Sequence, residues 1–193
     1  MVMSVCAHSA PKTLLVLGDS LSAEYGIARG SGWVALLEKK IRQEKIDAAV
    51  VNASISGETT SGGKARLPAL LKQHQPDVVI IELGGNDGLR GLPVKSAMAN
   101  LSDMVKASQA AKARVLLVGM QIPPNYGPDY ARQFARMYST IAKESDIKLV
   151  PFLLEGVAEN PELFQADRIH PQAQAQPIML NNIWPQLKPL LGK

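Results

Sequence analysis

Five short apolar runs recur along the chain, at Leu14–Leu17, Ala49–Asn52, Val78–Leu83, Val115–Val118 and, more weakly, Ile147–Val150. They are continuously hydrophobic rather than alternating, the pattern of strands in a sheet covered on both faces. The segments between them repeat at helical spacing. Trp33, Leu36, Leu37 and Ile41 share one face, with Ser31 placed to cap the start. Met98, Leu101, Met104 and Val105 form a second face, and Tyr130, Phe134, Met137, Tyr138 and Ile141 a third. These Met and Tyr stripes read as core-facing rather than as a cofactor box. Strand alternating with helix predicts an α/β protein, a three-layer α/β/α sandwich around a five-stranded parallel sheet with right-handed crossovers.

A chain of 193 residues is long enough to bury a full core. With no internal repeat, low-complexity tract or linker, residues 13–193 read as a single domain. The net charge is +4, but the cations lie among acids, as in residues 38–45, Glu-Lys-Lys-Ile-Arg-Gln-Glu-Lys. No basic stripe is interleaved with aromatics, which total 5%, so no nucleic-acid partner is expected. Cys6 is the single cysteine, which rules out an internal disulfide and a multi-cysteine metal site. No apolar run approaches the ~20 residues of a membrane span, so no integral membrane segment is expected. Residues 1–12 are small and mildly apolar. They read equally as a shortened signal peptide, with Val5-Cys6-Ala7 as a cleavage-like site, as a disordered tail or as a cloning remnant.

In parallel sheets of this kind, ligand chemistry collects beyond the carboxyl ends of the strands. Ser20 follows the first run, the segment 52–59 (Asn-Ala-Ser-Ile-Ser-Gly-Glu-Thr) follows the second, and Gly84-Gly85-Asn86-Asp87-Gly88 follows the third. All three polar turns therefore share one edge. Read alone, 84–88 is more simply a plain turn exploiting positive φ. Glu82, embedded in an apolar strand, is expected to face a hydrogen-bonding partner and serve structure. Of the three histidines, His8 lies in the tail and His74 precedes the third strand, on the edge opposite Ser20. His170 follows the last strand and is free to return to the Ser20 edge, with Asp167 placed three residues earlier to reach its Nδ1–H. Serine, histidine and acid are the parts of an acyl-transfer site.

Taken together, Gly18-Asp19-Ser20-Leu21-Ser22, Gly57, Gly84-Gly85-Asn86-Asp87 and Asp167-Arg168-Ile169-His170-Pro171 resemble the four separated blocks of the SGNH (GDSL-type) hydrolases. The stretch 82–91, Glu-Leu-Gly-Gly-Asn-Asp-Gly-Leu-Arg-Gly, and Asn125-Tyr126-Gly127 are similar to the bacterial multifunctional thioesterase/lysophospholipase/arylesterase branch. The resemblance implies the flavodoxin-like SGNH fold and a periplasmic or secreted location. It implies a serine esterase cleaving small acyl esters or thioesters through an acyl-enzyme, with Ser20, His170 and Asp167 as catalytic residues. It also implies an oxyanion hole from the backbone N–H groups of Ser20 and Gly57 and the side-chain amide of Asn86. No metal or organic cofactor is called for, and a monomer or weak oligomer is expected. Leu21, Tyr25, Leu89, Ile122, Pro123, Pro124 and Tyr126, apolar residues beside the blocks, are candidates to line an acyl groove, with ordinary loop packing as the alternative. The branch commonly has glycine where this chain has Arg168, whose side chain is expected to face solvent at the rim. A carbohydrate acetylesterase uses similar blocks. A non-catalytic flavodoxin-like module for a nucleotide or flavin fits the alternation, but the chain lacks Gly-x-Gly-x-x-Gly and the P-loop.

Overall fold

Every apolar run forms a strand. The computed structural model describes residues 10–192, so the reading of residues 1–12 falls largely outside them. Strands β1 (Lys12–Gly18), β2 (Ala48–Asn52), β3 (Val78–Glu82), β4 (Arg114–Val118) and β5 (Lys148–Val150) build one parallel sheet in the order β2-β1-β3-β4-β5. In the centre, Leu14–Leu17 and Val78–Ile81 are wholly buried. The edge strand β2 is only half-buried, because it has a strand neighbour on one side alone.

Helices α2 (Thr60–His74), α4 (Val94–Ala110) and α5 (Pro128–Ser145) pack side by side on one face of the sheet. Helices α1 (Trp33–Gln43) and α6 (Gln176–Leu191) pair on the other. The expected core faces hold. Trp33, Leu37, Ile41, Leu101, Met104, Val105, Phe134, Met137, Tyr138 and Ile141 are buried, while Leu36, Met98 and Tyr130 lie at the margin. Ser31 does not cap α1. Gly32 occupies the cap position, and the Ser31 hydroxyl turns back to donate to the Ala28 carbonyl. The start of α1 is secured from α6 instead, where the Gln176 Oε1 accepts from the Trp33 N–H at 3.0 Å.

Helices α2 and α6 carry residues that mask a helical pattern. Gly62, Gly63 and Pro68 lie in α2, and Pro185 and Pro189 in α6. The three prolines sit on exposed positions, where water can take the carbonyls they leave unbonded. Gly63 lets α2 approach the sheet closely, since a Cβ there would stand 2.3 Å from Leu83 Cδ1.

At the end of β4, Gly119 performs a similar service against backbone. Its N–H donates to the Val150 carbonyl at 2.8 Å, its carbonyl accepts from Leu153 at 3.0 Å, and a Cβ would meet the Pro151 carbonyl oxygen at 2.4 Å. We expect Gly119→Ala to destabilise the protein by about 1–3 kcal/mol, read as a lower urea midpoint at unchanged slope, because backbone must move to admit the methyl group.

Candidate active site

The strand order places a topological switch point between β1 and β3. From β1 the chain steps outward to β2, then crosses back to β3 on the other flank, which opens a crevice at the carboxyl ends of β1 and β3. Ser20 stands at the end of β1 and Asn86 at the end of β3, so both border it. The 84–88 segment is only partly a turn. Gly84 takes a left-handed φ of 114°, and Gly85–Leu89 then form a short helix, α3, with Asn86 in its first turn.

His170 reaches the crevice from the far edge of the sheet on a hairpin. The Gln165 N–H donates to the His170 carbonyl at 2.8 Å, and the Gln172 N–H to the Leu163 carbonyl at 2.7 Å. The Gln165 side-chain amide donates to the Tyr25 carbonyl at 2.9 Å, tying the hairpin to the turn after β1. At the tip, Asp167 Oδ1 accepts from the backbone N–H groups of Ile169 (2.9 Å) and His170 (3.0 Å). Its Oδ2 lies 2.7 Å from His170 Nδ1. The other ring nitrogen, Nε2, lies 3.0 Å from Ser20 Oγ. Serine, histidine and aspartate thus form one hydrogen-bonded row. The His170 backbone N–H and ring, with the Ile169 N–H, hold the Asp167 carboxyl down at about 2. It stays ionised at neutral pH, able to fix the Nδ1–H tautomer. The Tyr25 ring packs tilted on the imidazole, 4.4 Å between centroids.

Of the three expected oxyanion donors, two, Ser20 and Asn86, border the same hollow as His170. Among the described residues, the N–H groups of Ser20 and Gly57 donate to no protein acceptor. Gly57 has φ 78°, and its carbonyl accepts from Arg90 at 3.1 Å. Asn86 Nδ2 is already engaged, donating to Asp19 Oδ2 (3.1 Å) and the Glu58 carbonyl (3.0 Å). Asn86 borders the hollow beside Ser20, and a new oxyanion contact requires its amide to share or release one of these bonds.

Beneath Ser20 lies a buried acid pair. Glu82 sits beside Gly18 in the β1–β3 register, and its Oε2 accepts from Ser22 Oγ (2.7 Å) and the Asp19 N–H (3.3 Å). The expected structural role therefore fits, with two partners on one oxygen. Glu82 Oε1 finds none among the described residues, which a neutral carboxyl tolerates better than a carboxylate. Burial, with the Asp19 carboxyl next to it, pushes Glu82 well above the usual range. Burial likewise raises Asp19 from 3.8 to about 6, partly offset by the Leu21 N–H, His170 and Asn86.

The site opens into two connected hollows. One of about 150 Å³ is bordered by Ser20, Leu21, Asn86, Leu89, Met120 and His170. The next, about 410 Å³, shares Gly85, Leu89, Met120 and Ile169 with it and extends past Ile122, Pro123, Ala158, Pro161 and Phe164. Of the expected groove residues, Leu21, Leu89, Ile122 and Pro123 line these hollows, and Tyr25 stands beside Ser20 and His170. Tyr126 lines neither and instead braces the wall, its hydroxyl donating to the Leu89 carbonyl at 3.1 Å. The side chain of Pro124 lies outside the described residues. Arg168, expected to face solvent, is exposed but also borders the larger hollow. Met120, Ala158, Pro161, Phe164 and Ile169 were not anticipated, since they fall on loops without helical or strand period.

An α/β/α sandwich with serine, histidine and aspartate in a bonded row at its switch point has the architecture of a serine hydrolase. The chain belongs to the GDSL-like lipase/acylhydrolase family, whose profile matches residues 16–177. It is a hydrolase of carboxylic esters. It is 54% identical over 184 residues to the esterase TesA of Pseudomonas aeruginosa, covering 95% of this chain and 92% of that one. It is 45% identical over 192 residues to thioesterase 1/protease 1/lysophospholipase L1 of Escherichia coli, covering 100% and 91%. Among solved structures, the psychrotrophic esterase EstA from Pseudoalteromonas sp., inhibited by monoethylphosphonate, superposes with a TM-score of 0.89. That match is 44% identical and covers 94% of this chain and 100% of EstA.

Two measurements probe the acid pair. Glu82→Leu strands the Ser22 hydroxyl and the Asp19 N–H in the interior and is expected to cost about 2–4 kcal/mol in urea unfolding, with Glu82→Gln recovering most of it. Asp19 holds its proton more tightly folded than unfolded, so its contribution to stability is present below 3.8 and is lost as pH rises to about 6. Across that window the thermal midpoint of Asp19→Asn should fall less than that of the wild type.

Proposed function

We propose that this protein is a serine esterase that hydrolyses acyl esters and thioesters through an acyl-enzyme. The carrying observation is the row Ser20 Oγ, His170 Nε2, His170 Nδ1, Asp167 Oδ2, at 3.0 and 2.7 Å. Ser20 Oγ attacks the acyl carbonyl while His170 Nε2 takes its proton. Asp167 holds the ring and offsets the charge of the imidazolium. The tetrahedral oxyanion is received by the N–H groups of Ser20 and Gly57 and by Asn86. As the C–O or C–S bond breaks, His170 returns the proton to the leaving oxygen or sulfur. Water then repeats the sequence on the acyl-enzyme, releasing the acid and restoring the serine.

The apolar hollow beyond Leu89 supports a longer acyl group than acetyl, which the 150 Å³ space beside Ser20 accommodates alone. This favours an arylesterase, thioesterase or lysophospholipase range of substrates over a carbohydrate acetylesterase, and the names of the two sequence relatives point the same way. Among the described residues no helix is long and apolar enough to cross a membrane. A periplasmic or secreted location rests on the motif resemblance and is read by cell fractionation.

A fluorophosphonate probe should label Ser20. Ser20→Ala and His170→Ala should each lower aryl-ester turnover by more than about 1000-fold while leaving the thermal midpoint close to wild type. Undiminished labelling of Ser20→Ala at another residue would overturn the assignment. Asn86→Ala should lower kcat by roughly 100- to 1000-fold with a smaller change in KM, the mark of a contact that strengthens in the transition state. Activity should decline on acidification as the base is protonated, and a flat profile would exclude His170 from that role.

A further inference from the structure

The larger hollow is walled almost entirely by apolar groups, among them Leu89, Met120, Ile122 and Phe164. Two long polar side chains interrupt it, Gln121 and Arg168. Neither makes a side-chain hydrogen bond or ion pair among the described residues. The neighbouring carboxylate, Asp167, does not neutralise Arg168, because its oxygens are committed to the His170 ring and two backbone N–H groups. Arg90, the other arginine at this edge, donates to the Gly57 carbonyl. Arg168 therefore brings an uncompensated cation to an apolar cavity that opens onto Ser20.

Its backbone adds a second observation. Among the described residues, six other than glycine have positive φ, and Arg168 is one, at 58°. Lys45, Gln75, Lys112 and Asp146 end helices, where a left-handed residue closes the last turn. Glu24 is held by its own carboxylate, which accepts from the N–H groups of Gly30 and Gly32. Arg168 has neither justification. The turn that brings Asp167 to His170 demands a conformation glycine adopts freely, and the chain spends an arginine there.

We propose that Arg168, assisted by the Gln121 amide, forms an anion subsite at the mouth of the apolar cavity and selects esters that carry a carboxylate or phosphate. The guanidinium is charged at any working pH and matches both anions with a bidentate pair of N–H donors. Apolar walls strengthen the attraction relative to open water. Two substrate sources share this chemistry, a carboxylate ending the acyl chain and a phosphate in the leaving group. The inference rests on the serine-esterase reading above.

The test compares matched pairs on the full chain. For the acyl source the pair is the mono-p-nitrophenyl ester of adipate against p-nitrophenyl hexanoate. For the leaving-group source it is hexanoylglycerol 3-phosphate against hexanoylglycerol. The wild type should favour the anionic member of one pair by roughly tenfold in kcat/KM, expressed through KM and diminished at high salt. Arg168→Gln and Arg168→Gly should remove that preference, read as the ratio of kcat/KM within each pair so that a general change in turnover cancels, with Arg168→Lys retaining part of it. The pair that responds identifies the source. Anionic and neutral members turned over alike by the wild type, or a preference that survives in Arg168→Gln, would overturn the subsite. Failure of the esterase reading looks different, since hexanoate hydrolysis would then persist in Ser20→Ala.

Discussion

The site depends on the in-register pairing of β1 with β3, which sets Gly18 beside Glu82. From that position one carboxyl oxygen holds both the Asp19 N–H and the Ser22 hydroxyl, and so grips the Ser20 turn from below. Asp19 in turn bonds the Leu21 N–H and the Asn86 amide, linking the end of β1 to the end of β3. A buried acid in the centre of a sheet opposes folding unless its polar atoms are engaged. Here the engagement fixes the geometry of the Ser20 turn, so the thermodynamic liability of Glu82 and the placement of Ser20 have one origin.

His170 is positioned by a different logic. Asp167 and His170 lie three residues apart, and their mutual geometry is set within the hairpin tip by two backbone N–H groups and one side-chain bond. Only the approach of this unit to Ser20 depends on the rest of the fold, through Gln165 and the Tyr25 carbonyl. The hydrogen-bonded row is thus assembled from two preformed pieces that meet across one crevice.

Much of this was legible in the sequence because it follows from period and order. The five strands announce themselves as unbroken apolar runs. Parallel order then excludes His74 and admits His170, since the edge on which a residue emerges depends only on whether it precedes or follows a strand. What escaped the sequence was set by tertiary contact. Gly63 and the prolines of α6 hide helices because a close approach to the sheet and water on the outer face override local propensity. Ser31 is a sound cap by type, but the Ala28 carbonyl offered its hydroxyl another partner. Phe164 and Ile169 reach the cavity from loops whose conformation no periodic pattern records. Tyr126, expected in the groove, instead turns its hydroxyl to the Leu89 carbonyl.

The bond between Ser20 and His170 spans 150 positions of the chain. In chain order Ser20 precedes four of the five strands and His170 follows all of them. The row closes only where the 163–172 hairpin is held against the Tyr25 carbonyl. The contact is therefore a property of the completed sheet and the docked hairpin together, and neither local segment contains it alone.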